Sequence, residues 1–131
     1  MKDKIIADYM TPSPHSIGYD QPLSHAHHVM RDHHIRHLPV LNRGHLVGML
    51  SDRDLAFIEN LKDVDATKVR VDDAMTPSPY AVSKSARLGD VAREMAEHRY
   101  GSAVVMENDH VIGVFTTVDA LRALADACNA K

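Results

Sequence analysis

Gly48-Met49-Leu50-Ser51-Asp52-Arg53-Asp54 reads as a buried strand running into a capped helix, and it returns 65 residues later as Gly113-Val114-Phe115-Thr116-Thr117-Val118-Asp119. Each copy places apolar residues before a hydroxyl that caps a helix, with an acid three positions beyond it. A strand that ends on a helix N-terminus presents free backbone N–H groups and a partial positive charge, which suits a phosphate. The closing Asp offers two acceptor oxygens, enough for both hydroxyls of a ribose. A plain capping box, Ser51 with Asp54 and Thr116 with Asp119, accounts for the same residues without a ligand. The glycine three residues before each cap is not needed for capping, and its recurrence favours the ligand reading.

Outward from this pair the whole chain repeats at the same offset. Met10-Thr11-Pro12-Ser13-Pro14 recurs as Met75-Thr76-Pro77-Ser78-Pro79, and Leu23, Met30, His33, Val40 and His45 recur as Leu88, Met95, His98, Val105 and His110. The offset holds without a gap, so residues 1–66 and 67–131 are expected to be two copies of one fold. Each copy begins with a short turn or helix (3–9 and 71–74) and an extended Pro-rich segment. An amphipathic helix follows, about 22–34 in the first half, with Leu23, Ala26, Met30 and His33 on one face, and about 85–99 in the second, with Leu88, Val91, Met95 and His98 at the matching positions. On that stripe His33 and His98 are expected to be packed. A hairpin comes next, 37–41 with 45–50 around Asn42-Arg43-Gly44, and 102–106 with 110–115 around Glu107-Asn108-Asp109. Its strands are apolar on both sides of the alternation, which predicts cover on both faces. Helices over 52–61 and 117–127 close the copies, and the polar stretch 62–70 reads as the link between them.

Composition excludes several classes. The 131 residues are 44% apolar and 25% charged with net charge -3, an ordinary globular balance without the basic surface that nucleic acid demands. No stretch approaches membrane-spanning length, the first residues lack an apolar leader core, and Cys128 is the only cysteine, so a cytoplasmic protein without membrane contact is expected. Ten histidines are the unusual feature. His25 and His28 share a helix face at i, i+3 and are the candidates for a surface metal site, although no Cys or Glu completes a tetrahedral set nearby. No phosphate-binding Gly-rich loop and no nucleophile in a catalytic signature is present, so no enzymatic activity is expected.

The order strand, helix, strand, strand, helix, together with Met-Thr-Pro near each start, Ile35-Arg36-His37-Leu38-Pro39-Val40 and the two Gly-x-x-Ser/Thr-x-x-Asp corners, resembles the tandem cystathionine-β-synthase-type (CBS) domain. That resemblance implies an α+β fold of two β-α-β-β-α repeats related by a pseudo-twofold axis and packed through their sheets. It also implies clefts shared by the repeats that take an adenosine-containing regulatory ligand such as AMP, ADP, ATP or S-adenosylmethionine, with no other cofactor required. By the same resemblance Asp54 and Asp119 hold ribose, and Ser51, Arg53, Thr116, Arg36 and His37 lie near phosphate. Ser13, Ile17, Ile35, Pro39, Ser78, Val82 and Tyr100 form the base cradle. A crossed arrangement is expected, Asp54 working with Ser78 and Tyr100, and Asp119 with Ser13, Ile35, Arg36 and His37.

The halves differ chemically: Arg36, His37 and Arg53 face Gly101, Ser102 and Val118 at matching positions, which predicts unequal occupancy with phosphate held by first-half side chains. The leading expectation is a nucleotide-sensing module that acts in trans on a partner protein and forms a homodimer. The alternatives are a dimerising interaction module with vestigial clefts, and a His-based metal or pH sensor.

Overall fold

A computed structural model of the chain describes residues 2–12 and 15–130. The elements run in the order of the repeat. The first half holds a 3-10 turn (Ile6–Asp8), β1 (Thr11–Pro12), β2 (Ile17–Gly18), α1 (Leu23–His33), β3 (His37–Asn42), β4 (His45–Ser51) and α2 (Asp52–Glu59). The second holds α3 (Val71–Ala74), β5 (Thr76–Pro77), β6 (Ala81–Ser83), α4 (Leu88–His98), β7 (Ser102–Glu107), β8 (His110–Thr116) and α5 (Thr117–Asn129). The fold is mixed α+β with two four-stranded sheets, as expected of two CBS repeats.

Local chemistry explains the elements. α1 and α4 end on His34 and Arg99, both in the left-handed region, where the chain leaves the helix and turns into β3 and β7. The hairpins turn in two residues rather than the three expected: Asn42 pairs with His45 around Arg43-Gly44, and Glu107 pairs with His110 around Asn108-Asp109. All four turn residues have positive φ, the geometry that matches the twist of the flanking strands. Within β3 and β7 three consecutive residues are buried, Leu38-Pro39-Val40 and Ala103-Val104-Val105, so both faces of these strands are covered.

The compact units are cut differently from the repeats. One unit runs from His15 to Pro79, and the other joins the N-terminal segment to the chain from Tyr80 onward. The cause is an exchange of the first segment of each repeat. In the unit from Tyr80 onward the sheet order is β1-β8-β7-β6, with Thr11 opposite Val114 and Pro12 opposite Gly113 in antiparallel register. In the other unit the order is β2-β3-β4-β5, with Thr76 opposite Met49 and Pro77 opposite Gly48. Ile6 and Val71, 65 residues apart and both fully buried, each fill the core that the hairpin and helices of the other repeat leave open. The stretch 62–70 is not a bare link: Ala66 and Val69 pack on the His15–Pro79 core, and their carbonyls accept the Ser24 and Leu23 N–H groups at the start of α1.

Two histidines depart from their expected place. His33 and His98 are exposed, because the last turn of α1 and α4 runs beyond the buried stripe of Leu23, Ala26 and Met30 and of Leu88, Val91 and Met95. His33 stacks on His15 with ring centroids 3.8 Å apart. His98 stacks on Tyr100 at 5.1 Å and pairs with Glu94 at 2.9 Å.

Candidate functional site

Both strand-to-helix corners form, and each is closed first by its own acid. At the first, the Ser51 N–H donates to Asp54 Oδ2 (2.9 Å) and the Asp54 N–H donates to Ser51 Oγ (3.1 Å), a complete capping box at the start of α2. At the second, the Thr116 N–H donates to Asp119 Oδ2 (2.9 Å), but the Thr116 hydroxyl makes no cap bond to α5 and instead donates to the same carboxylate oxygen at 3.3 Å.

The other carboxylate oxygens differ. Asp54 is half-buried, and its Oδ1 has no hydrogen-bond partner among the described residues. Asp119 is 1% exposed, and its Oδ1 accepts the Thr11 hydroxyl at 3.0 Å and lies 3.4 Å from Arg122 Nη1. Thr76 stands in the register of Thr11, yet its hydroxyl makes no hydrogen bond among the described residues.

The recurring glycines have a reason independent of ligand. A Cβ on Gly48 would lie 2.2 Å from Met75 Sδ and 3.0 Å from the Thr76 carbonyl oxygen; one on Gly113 would meet Met10 Sδ at 2.8 Å and the Thr11 oxygen at 2.9 Å. The exchanged segments cross these glycines, so close packing alone demands them. Their recurrence therefore carries no weight for a nucleotide.

Around the first corner the hairpin gathers several of the other candidates. His37 is paired with Ser51 in the β3–β4 register, and the Arg36 carbonyl accepts the Asp52 N–H at 2.9 Å, which brings residues 35–37 alongside the start of α2. Arg36 and Arg53 are exposed and make no ion pair among the described residues, whereas Ile35 is half-buried. Ser78 belongs to the same unit, at φ 49° with its N–H on the Val47 carbonyl. Ile17 and Pro39 are core residues, buried in β2 and β3. In the unit of Asp119, Val82 packs on the core, while Tyr100 is 40% exposed with its ring against His98 and, at 5.3 Å, Tyr80. Burial raises the Tyr80 hydroxyl above its ordinary pKa. Ser13 lies outside the described residues.

The histidine-rich helix does not gather a metal set: among the described residues no three His, Cys, Asp or Glu side chains come together to hold an ion. His28 Nδ1 sits 2.9 Å from Arg31 Nη2, and His27, the histidine between the two candidates, pairs with Glu59 of α2 at 3.0 Å, while His25 is exposed. No described helix is long and apolar enough to cross a membrane.

Two copies of an α+β unit, each ending its central hairpin on an acid-capped helix, define a tandem-repeat module. The CBS domain family model matches residues 6–59 and 71–126, and the chain belongs to that family. It is 25% identical over 114 residues to the CBS domain-containing protein YhcV of Bacillus subtilis, covering 87% of this chain and 81% of that one. Among solved structures it is similar to CBSX2 in complex with AMP, at 28% identity and a TM-score of 0.78 over 93% of this chain and 97% of the other; CBSX2 is a chloroplastic protein of Arabidopsis thaliana. The CBS domain pair of protein MJ0100, solved with 5-methylthioadenosine and S-adenosyl-L-methionine, shares the fold at 20% identity and a TM-score of 0.79, over 95% of this chain and 98% of that one.

Proposed function

We propose that this chain is a regulatory module that binds an adenosine-containing ligand, AMP before S-adenosylmethionine, and acts in the cytoplasm on a partner protein rather than as an enzyme. The observation that carries the reading is the first corner: Asp54 commits one oxygen to the Ser51 N–H and keeps the other open, at a helix N-terminus that carries Arg53 and whose Asp52 N–H is held by the Arg36 carbonyl. An open carboxylate oxygen accepts a ribose hydroxyl, and Arg53, with Arg36 assigned to this corner in place of the crossed pairing with Asp119, supplies the charge a phosphate needs. The AMP complex of CBSX2 supports the choice of ligand.

Two or three charge-assisted hydrogen bonds with a packed base correspond to binding on the order of micromolar. Calorimetric titration of the chain with AMP tests this. Asp54→Ala should weaken binding roughly 10- to 100-fold, and the 2′-deoxy analogue should bind worse than AMP. Unchanged affinity in the variant removes the ribose role from Asp54.

A second reading, an assembly module, is favoured by Val118, Leu121 and Leu124 of α5 and Phe57 of α2, all half or more exposed. Homodimerisation through such faces is the expected form. A chain that stays monomeric in light scattering at high concentration contradicts it.

A further inference from the structure

The two corners share a sequence pattern and a backbone register, but only one keeps an open carboxylate oxygen. Thr11 and Thr76 occupy the same place in their sheets, opposite Val114 and Met49, which are themselves 65 residues apart. Thr11 nevertheless donates its hydroxyl to Asp119 Oδ1, while Asp54 Oδ1 takes nothing among the described residues. Position 122 adds to the difference: Arg122 reaches the Asp119 carboxylate, and its counterpart at residue 57 is an exposed Phe.

We infer that Thr11 is a specificity-determining residue that closes the Asp119 corner to ribose, restricting the chain to one adenosine ligand, held at Asp54. The inference rests on the ribose reading of the two acids given above. A hydroxyl on a carboxylate is what a ribose would offer, so Thr11 occupies that oxygen in the ligand's stead. An incoming sugar must displace a bond already made inside a carboxylate that is almost fully buried, which costs about tenfold or more in affinity. The sealing is a long-range event, since Thr11 and Asp119 stand 108 residues apart in the chain.

The test is AMP titration by calorimetry on the full chain, repeated with S-adenosylmethionine, with melting curves to show that each variant folds. Wild type should bind one equivalent. Thr11→Ala, which removes the hydroxyl and clears the space before the carboxylate, should bind two, and the second should vanish in Thr11→Ala/Asp119→Ala. Thr11→Ser, which keeps the hydroxyl, should return to one. Two equivalents of similar affinity in wild type overturn the inference whether or not any variant folds. A folded Thr11→Ala that still binds only one equivalent also overturns it while leaving the nucleotide reading intact. No binding of either compound to wild type or Thr11→Ala brings both down.

Discussion

The Asp54 and Asp119 corners are the same seven-residue pattern in the same fold, yet one acid is half-open and the other is sealed. A hydroxyl from β1 and a guanidinium from α5 account for the difference: Thr11 recurs as Thr76, yet only Thr11 reaches its acid, and Arg122 has Phe57 as its counterpart. An internal repeat fixes where two equivalent groups sit, while their availability depends on how the surrounding side chains pack, even where those residues are themselves repeated. The difference within the motif itself, Arg53 at the first corner where the second has Val118, points the same way, towards the first corner as the working one.

The comparison is most severely tested by removing each acid. Asp119→Ala deletes the cap bond to Thr116 and the anchor for Thr11 and should cost about 2–3 kcal/mol of stability, against about 1 kcal/mol for Asp54→Ala, which loses only its capping box. Equal losses in chemical denaturation would show that the Thr11 contact contributes nothing. The glycines come next, and here the corners should behave alike. Gly48→Ala and Gly113→Ala each push a Cβ into the crossing segment and should cost about 2 kcal/mol. Gly89→Ala, on α4 with open space around its Cβ, should instead stabilise by about 0.5–1 kcal/mol, the ordinary gain for alanine in a helix.

The smallest effect concerns the N-terminal segment. Tyr9 donates to Asp126 Oδ2 at 2.6 Å, and that bond, with the nearby carboxylate charge, holds the hydroxyl above its ordinary pKa of 10.0. The neutral form is thus favoured in the folded chain. The contact contributes below about pH 10 and is lost as the pH rises through the raised value. Tyr9→Phe should lower the denaturation midpoint slightly at neutral pH and remove this alkaline component. An unaltered alkaline profile in the variant would mean that another group is responsible.

Most of the fold was legible because its signals are local or repeated. Leu23, Ala26 and Met30 mark the buried face of α1, the apolar runs on either side of Arg43-Gly44 mark a hairpin, and one offset carries both to the second half. His33 and His98 were misplaced because helical spacing extends a stripe without saying where the underlying sheet stops. The glycine inference erred for a related reason: Gly48 and Gly113 signal close approach, but spacing alone does not say whether backbone or ligand approaches.

The sequence by itself determined that this chain is two copies of one CBS-type unit, with acids capping two strand-to-helix corners, since periodicity, capping and repetition are properties of neighbouring residues. Only the tertiary structure decided that the opening segments exchange and that Thr11 reaches Asp119 while Thr76 leaves Asp54 open. Two-residue strands carry too little pairing energy to declare their partners in advance. Whether a hydroxyl meets a carboxylate 108 residues away is settled by the packing of Ile6, Met10 and β1, not by any spacing along the chain.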